Sequence, residues 1–254
     1  MTLNLMIGNI GTGKSTIARK LAFQGSAVFN MDSFQEMLSG GEYARYDPKK
    51  RDVYTTGENE TIRAALKSGL DVCVDRTNMD LKRRERFIQI GKEYGAKIVA
   101  YHLGVGDRAK CLANRAKNPR GVPMTVWGQV YDKMVADYVP PTLDEGFSEI
   151  IEVPKRFKFY AFDFDGTLVE NKFPELGAII SREVDRLNQL YEDLSNIIII
   201  WTCRSGEYES LMRNFLINNH IPFDFINENP MVDYGSRKIF ATEYIDDRNG
   251  VAAK

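Results

Sequence analysis

The run Gly8-Asn9-Ile10-Gly11-Thr12-Gly13-Lys14-Ser15 has the spacing G-x-x-x-x-G-K-[ST]. A short apolar stretch, residues 3–7, leads into it, and residues 15–23 follow with apolar side chains at helical spacing. Strand, glycine-rich turn and helix in that order predict a loop that wraps phosphate. Glycines let backbone N–H groups turn inward, and the helix that follows adds its positive N-terminal end. The same spacing predicts that Lys14 reaches the outer phosphates of a triphosphate and that the Ser15 hydroxyl ligates Mg2+. Gly8, Gly11, Gly13, Lys14, Ser15 and Thr16 are the candidate contacts to ATP.

Working outward, short apolar runs alternate with helical patterns. Residues 27–30 form a second strand pattern that runs on to Asp32, and residues 71–75 (DVCVD) and 97–102 form two more. Between them lie helical patterns over 51–68, closed by Gly69, and over 81–94, closed by Gly95. Alternation of this kind predicts an α/β fold with a parallel, doubly wound sheet. Helices at 109–116 and 124–137 flank an irregular segment, NPRGVP, and a strand at 149–153 completes the half. A second alternating pattern begins near Pro154: strands at 158–162, 196–202, 223–226 and 244–245, with helices at 182–194 and 207–218. At 254 residues the chain suits two domains, drawn at 1–153 and 154–254.

Composition bounds the function classes. The formal net charge is −1, so a nucleic-acid partner rests on local patches rather than on the whole chain. Cys73, Cys111 and Cys203 are odd in number and far apart, and there are only 2 histidines, which argues against a disulfide framework and a zinc site. With no long apolar run and no room for a leader before the glycine-rich loop, the expectation is a cytoplasmic protein with no membrane segment.

Position assigns further candidates in the first half. Asp32 falls at the carboxyl end of a strand, where parallel sheets bind ligands. There it either accepts a proton from an attacking hydroxyl or caps the helix that follows. Asp75 ends the third strand and suits Mg2+ through water. The run Lys82, Arg83, Arg84 and then Arg86 lies on a helix entering from that edge, as phosphate contacts or as a solvated face. Arg115 and Arg120 bracket the NPRG segment, either as a lid that clamps transferring charge or as exposed loop arginines.

The second half carries its own signature, Asp163-Phe164-Asp165-Gly166-Thr167. Two carboxylates one residue apart, at a strand end followed by glycine, can face one Mg2+. Asp163 is then the nucleophile toward phosphorus and Asp165 the general acid and base. Thr202, at the end of the most apolar strand, suits a phosphate oxygen. Lys238 is the candidate neutralising cation, with Arg204 or Arg237 as alternatives. Asp246 or Asp247 completes a metal set of Asp163, Asp165 and one of these two, Asp246 being the first acidic residue after its strand. About 36 residues separate Asp165 from Thr202, and about as many separate Thr202 from Lys238, too few for an inserted cap domain.

Together, GNIGTGKS, NMDSF, DRTNMDLKRRERF and NRAKNPRGVPMTVWGQVYDKM make the first half resemble the kinase domain of the phage polynucleotide kinase–phosphatases. DFDGT, WTCR, FINENP and RKIFATEYIDDRN make the second half resemble capless phosphatases of the haloacid dehalogenase (HAD) superfamily. The resemblance implies a P-loop kinase domain joined to a HAD-like Rossmannoid domain without a large cap. It implies an enzyme that uses ATP and Mg2+ to phosphorylate a 5′-hydroxyl end of DNA or RNA and removes a 3′-phosphate through an aspartyl-phosphate. By it, Asp32 is the general base, Lys14, Ser15 and Arg120 contact phosphate and transition state, Arg115 is a second lid arginine, Arg204 joins Thr202 at the substrate phosphate, and the enzyme is an oligomer. The phage enzyme has an arginine three residues beyond its aspartate that contacts the acceptor, where this chain has Gln35, with Lys49, Lys50 and Arg51 nearby. Competing readings are a nucleoside or sugar kinase fused to a metabolite phosphatase, and a non-catalytic nucleotide sensor.

Overall fold

The computed structural model describes residues 1–232, 235 and 238–248. The chain forms two compact units, Met1–Val153 and Pro154–Lys254.

In the first unit, five strands lie in the order β2-β3-β1-β4-β5, all parallel, with β1 at Thr2–Gly8, β2 at Ala27–Phe29, β3 at Val72–Val74, β4 at Lys97–Gly104 and β5 at Glu149–Glu152. β1 is central and nearly all apolar because helices cover both faces of a parallel sheet. Leu3, Leu5 and Ile7 pack with Val72, Val74 and Phe87 in one core. The helices are α1 (Lys14–Phe23), α2 (Met31–Leu38), α3 (Arg51–Lys67), α4 (Leu81–Glu93), α5 (Arg108–Ala116) and α6 (Met124–Ala136). Short polar side chains start three of them. Asn30 accepts from the N–H groups of Asp32 and Ser33, Asp80 from Arg83 and Asp107 from Lys110. Two 3-10 turns, Tyr43–Arg45 and Pro48–Lys50, join α2 to α3 where the sequence pattern shows no periodic element.

The basic run on α4 is neither a solvated face nor an open phosphate contact throughout. Arg84 is buried, meets Glu145 with bonds of 2.6 and 2.8 Å, and donates to the carbonyls of Asn78 and Val139 at 3.1 and 2.9 Å. It ties α4 to the turn ahead of β5. Arg86, with Arg76, pairs with the buried Glu58.

In the second unit, β6 (Lys158–Asp163), β7 (Asn196–Trp201), β8 (Phe225–Ile226) and β9 (Glu243–Ile245) form a parallel sheet in the order β8-β7-β6-β9. Helices α7 (Ser181–Glu192) and α8 (Glu207–Asn218) pack Leu187, Met212 and Leu216 against Phe162, Ile198 and Ile200. The strand expected at 223–226 is only two residues long. Asp224 leaves the ladder to bond the Ile198 backbone twice, through its own N–H at 2.8 Å and its carboxylate at 2.9 Å. The segment from Gly166 to Ile180 is a loop held by isolated bridges at Val169, with no inserted domain among the described residues. No helix among the described residues is long and apolar enough to cross a membrane.

Candidate active sites

The glycine-rich loop joins β1 to α1 at the carboxyl edge of the first sheet. Gly11 has φ of 70°, and a Cβ there would sit 2.1 Å from the Cys111 carbonyl oxygen, so only glycine lets the loop lie against α5. Asn114 donates to the Gly11 carbonyl at 3.0 Å from the same helix. Gly8 anchors the loop to the neighbouring strand end through the Thr77 carbonyl. Gly13, with φ of 97°, precedes α1, and its carbonyl accepts from the buried Thr16.

Lys14 donates to the Asn9 carbonyl at 2.7 Å, inside the loop. Burial pushes its pKa down to about 8, with nearby Asp75 opposing that shift and Arg115 adding to it. The Ser15 hydroxyl donates to Asp75 Oδ2 at 2.7 Å, and Asn30 Nδ2 donates to the same oxygen at 3.0 Å. A hydroxyl and a carboxylate placed together beside a phosphate loop form an oxygen donor set suited to Mg2+, so Ser15 and Asp75 fit that ion.

Asp32 lies in the first turn of α2. Asn30, not Asp32, caps that helix, so the alternative structural role for Asp32 falls away. Its Oδ2 lies 3.2 Å from Arg120 Nη1, and Arg120 also reaches Glu36 Oε1 at 3.3 Å. Arg120 adopts φ of 53° between α5 and α6 and lies over the Tyr43 ring at 5.3 Å, while Arg115 lies over Trp127 at 4.2 Å. Tyr43 and Trp127 stack at 6.4 Å. Neither arginine is a free loop side chain, and both are half-buried in an aromatic cage beside Asp32. Burial lowers the Arg115 pKa, opposed by Asp32, and raises that of Tyr43, aided by Asp32. Lys49, Lys50 and Arg51 are exposed at the start of α3.

Sequence reasoning missed Asn9, Asn30 and Glu36. Asn9 is a variable position in the loop pattern, yet its side chain donates to the Tyr131 carbonyl and its own carbonyl receives both Lys14 and Thr12. Asn30 had a usable signal: a short amide just ahead of a helix. Glu36 gave none, because its partner is 84 residues away.

In the second unit, Asp163 ends β6, and Thr202 and Asp246 follow the two strands that flank it, β7 and β9. Ligand oxygens of Asp163, Asp246 and Asp247 all lie within 4.8 Å of one another. Both terminal aspartates therefore join the cluster, where the sequence left the choice open. Burial, followed by the charge of Asp246, raises the Asp163 pKa to about 7, with Asp247 and Asp165 adding and the Phe164 N–H opposing. Three hard oxygens in mutual repulsion fit a divalent cation such as Mg2+. Gly166 makes the approach feasible: it has φ of 102°, and a Cβ there would meet Asp247 Oδ2 at 2.5 Å. Thr167 accepts from the Asp247 N–H at 3.0 Å and fixes that turn.

Two expectations are corrected here. The Asp165 carboxylate lies outside the cluster. It receives Arg204 Nε at 2.7 Å and Nη2 at 2.6 Å, a two-pronged pair, and is not one of the three carboxylates whose oxygens gather within 4.8 Å. Arg204, in turn, is no phosphate contact. It is buried, also donates to the carbonyls of Pro174 and Glu175 at 3.0 and 2.8 Å, and lies between the Phe164 and Phe173 rings. A guanidinium so enclosed positions Asp165 instead of meeting substrate. Thr202 donates its N–H to Asn227 at 2.8 Å and its hydroxyl oxygen accepts from the Arg204 N–H, which leaves the hydroxyl proton for a phosphate oxygen. Lys238 is exposed, its ammonium 4.8 Å from the centre of the Tyr244 ring on β9. Arg237 lies outside the described residues. Cys73, Cys111 and Cys203 are unbridged.

Among known proteins, a family described as AAA domain matches residues 3–141, more than half of the chain. Three solved structures are similar. A conserved protein from Bacteroides thetaiotaomicron shares 30% identity over 37% of this chain and 78% of its own, with a TM-score of 0.33. The Pnkp1/Rnl/Hen1 RNA repair complex shares 20% identity over 98% of this chain and 90% of its own, with a TM-score of 0.45. The APS kinase CysC of Mycobacterium tuberculosis, in complex with AMPPNP and APS, shares 14% identity over 59% of this chain and 87% of its own, with a TM-score of 0.43.

Proposed function

The chain belongs to the AAA domain family, and from that premise we propose that it is an enzyme that repairs nucleic-acid ends, adding phosphate at a 5′-hydroxyl and removing it from a 3′-phosphate. Its first unit is a P-loop kinase domain, which binds a nucleotide. The observation that carries the two-reaction reading is the pair of carboxylate-lined strand ends, Ser15–Asp75 beside Asp32 in one sheet and Asp163–Asp246–Asp247 in the other.

In the kinase half, the loop N–H groups and Lys14 hold the triphosphate of ATP, and Ser15 and Asp75 hold Mg2+. The ion neutralises phosphate charge when bound. Asp32 takes the proton as the 5′-oxygen bonds to the γ-phosphorus. The bond to the bridging oxygen breaks and ADP leaves. Arg120 and Arg115 meet the charge spread over the transferring group.

In the phosphatase half, Asp163, Asp246 and Asp247 hold Mg2+, which offsets the charge of the substrate dianion when bound. An Asp163 oxygen bonds to phosphorus and the bond to the 3′-oxygen breaks. Asp165, which must enter protonated and release one of its two Arg204 bonds, gives its proton to that oxygen and then takes one from the water that cleaves the aspartyl-phosphate, releasing inorganic phosphate. Thr202 donates to a phosphoryl oxygen, and Lys238 is the nearby cation. The short loop from Gly166 to Ile180, with no inserted domain among the described residues, supports a polymer end as substrate.

One incubation tests both halves: an oligonucleotide with 5′-hydroxyl and 3′-phosphate ends, labelled ATP and Mg2+, with each end followed. Label at the 5′ end and loss of the 3′-phosphate are expected. Turnover of nucleosides or sugars in preference to the oligonucleotide would replace the polymer reading.

A further inference from the structure

Two aromatic side chains stand in the open beside the second site. Phe173 is 56% exposed and Tyr208 is 42% exposed, and their ring centres are 5.3 Å apart. Phe173 lies on the loop between β6 and α7, and Tyr208 on the first turn of α8. Neither serves the core, which is built from Phe164, Leu168 and their neighbours.

What ties this pair to the chemistry is Arg204. Its guanidinium lies 5.2 Å from the centre of the Phe173 ring, so one face of that ring rests on the arginine. The same guanidinium holds both oxygens of Asp165 and the carbonyls of Pro174 and Glu175, so the Phe173 loop and the acid share one anchor. With a C–N bond adding only ~1.3 Å, the ring centre falls within about 9 Å of an Asp165 oxygen. That upper bound puts the ring beside the acid, on the length scale of a single nucleotide.

We propose that Phe173 and Tyr208 form a stacking platform for the base of the terminal nucleotide whose 3′-phosphate meets Asp163. The proposal rests on the phosphatase reading above and adds a substrate class to it, a nucleotide at a strand end with its base splayed onto the protein. Both rings are open to solvent and are tilted at 59° to each other, so a base stacked on one meets the other at an angle. Every base has a flat face, so the platform tolerates sequence. Arg204, packed beneath Phe173, makes base stacking and placement of the acid parts of one rigid element.

The test is a comparison of two 3′-phosphorylated oligonucleotides, one ending in an ordinary nucleotide and one in an abasic analogue. Each is hydrolysed by the full chain and by the variant Phe173→Leu with Tyr208→Leu. Leucine keeps an apolar cover over Arg204 and removes the π surfaces. The unaltered chain should show a KM about 10-fold lower for the base-bearing end, and the variant should lose that preference. Any structural damage lowers both substrates alike and cancels in the ratio. A preference that survives in the variant, or that the unaltered chain never shows, overturns the platform. Acetyl phosphate separates the levels. If the unaltered chain turns it over but neither oligonucleotide, the nucleic-acid substrate and the platform fall together while the phosphatase stands. If it turns over nothing, the phosphatase reading itself has failed.

Discussion

Arg120 Nη1 lies 3.2 Å from Asp32 Oδ2, so the arginine assigned to the transition state and the carboxylate assigned to the acceptor hydroxyl are paired with each other. Glu36 takes the same nitrogen at 3.3 Å. For both groups to work, Arg120 must exchange Asp32 for a phosphate, with Glu36 as the contact it can keep. Arg120→Ala should lower kinase kcat by about 10^3-fold, and Glu36→Gln should act more mildly, through lid position. Steady-state kinetics on a 5′-hydroxyl oligonucleotide reads both. An Arg120→Ala variant at full rate removes the lid arginine from the mechanism.

Lys14→Ala and Asp163→Asn should separate the two reactions. The first removes the cation at the triphosphate and should abolish 5′ phosphorylation while 3′-phosphate release continues. The second replaces the nucleophile with an amide and should do the opposite. Losses of about 100-fold or more are expected for each. The doubly labelled oligonucleotide reports both in one reaction, and either variant silencing both activities in a folded chain contradicts two independent sites.

Nucleotide affinity should fall in alkaline solution. Burial holds the free protein's Lys14 near a pKa of about 8, and a bound triphosphate raises it. Binding therefore takes up a proton once pH exceeds about 8. Affinity is level below that pH and weakens above it, by up to about tenfold per unit. Calorimetric titration with ATP from pH 7 to about 9.5 measures this, and Lys14→Arg should flatten the slope.

The second cluster should couple stability to pH with the opposite partner. The Asp163 pKa of about 7 lies above its ordinary value of 3.8. Between those values the folded chain keeps a proton that the unfolded chain has lost. This contribution is complete below about pH 4 and is lost as pH rises through about 7. Without divalent ions the melting temperature of the second unit should drop between pH 5 and 8 by a few degrees. Mg2+ should restore more at pH 8 than at pH 5, and Asp163→Asn should remove the dependence. Equal Mg2+ effects at both pH values count against the cluster as a cation site.

Arg84 and Glu145 make a structural prediction. Arg84→Ala takes the two-pronged donor from the largely covered Glu145, which keeps only the Thr142 N–H, and the same donor from two carbonyls, and should destabilise the first unit by about 3 kcal/mol. Arg83, one residue away and paired to Asp80 at the surface, should cost under about 1 kcal/mol on the same change. Chemical denaturation of both variants decides it.

Much of the chain could be read before any coordinates. The glycine loop, the alternation of strands and helices, and the placing of Asp75 and Asp163 at strand ends, with Asp32 in the helix turn just beyond one, follow from local pattern, because a parallel sheet buries continuous apolar runs and ends them at polar turns. What escaped depends on contacts distant in sequence. Arg204 reads as a phosphate ligand until one sees its guanidinium enclosed by Phe164 and Phe173 and spent on Asp165. Arg84 reads as a surface charge until Glu145 arrives from 61 residues away. Asn9 reads as filler in a glycine motif until its carbonyl receives Lys14. In each case the residue type was visible and its partner was not.

That last contact has a kinetic meaning. With its ammonium on the Asn9 carbonyl, Lys14 already props the loop in a folded curve, braced from α5 by Asn114. The chain entropy lost in shaping a phosphate cradle was surrendered when the domain folded. An arriving nucleotide has only to swap one carbonyl oxygen for its own, so its capture should be governed by encounter rather than by reshaping of the loop.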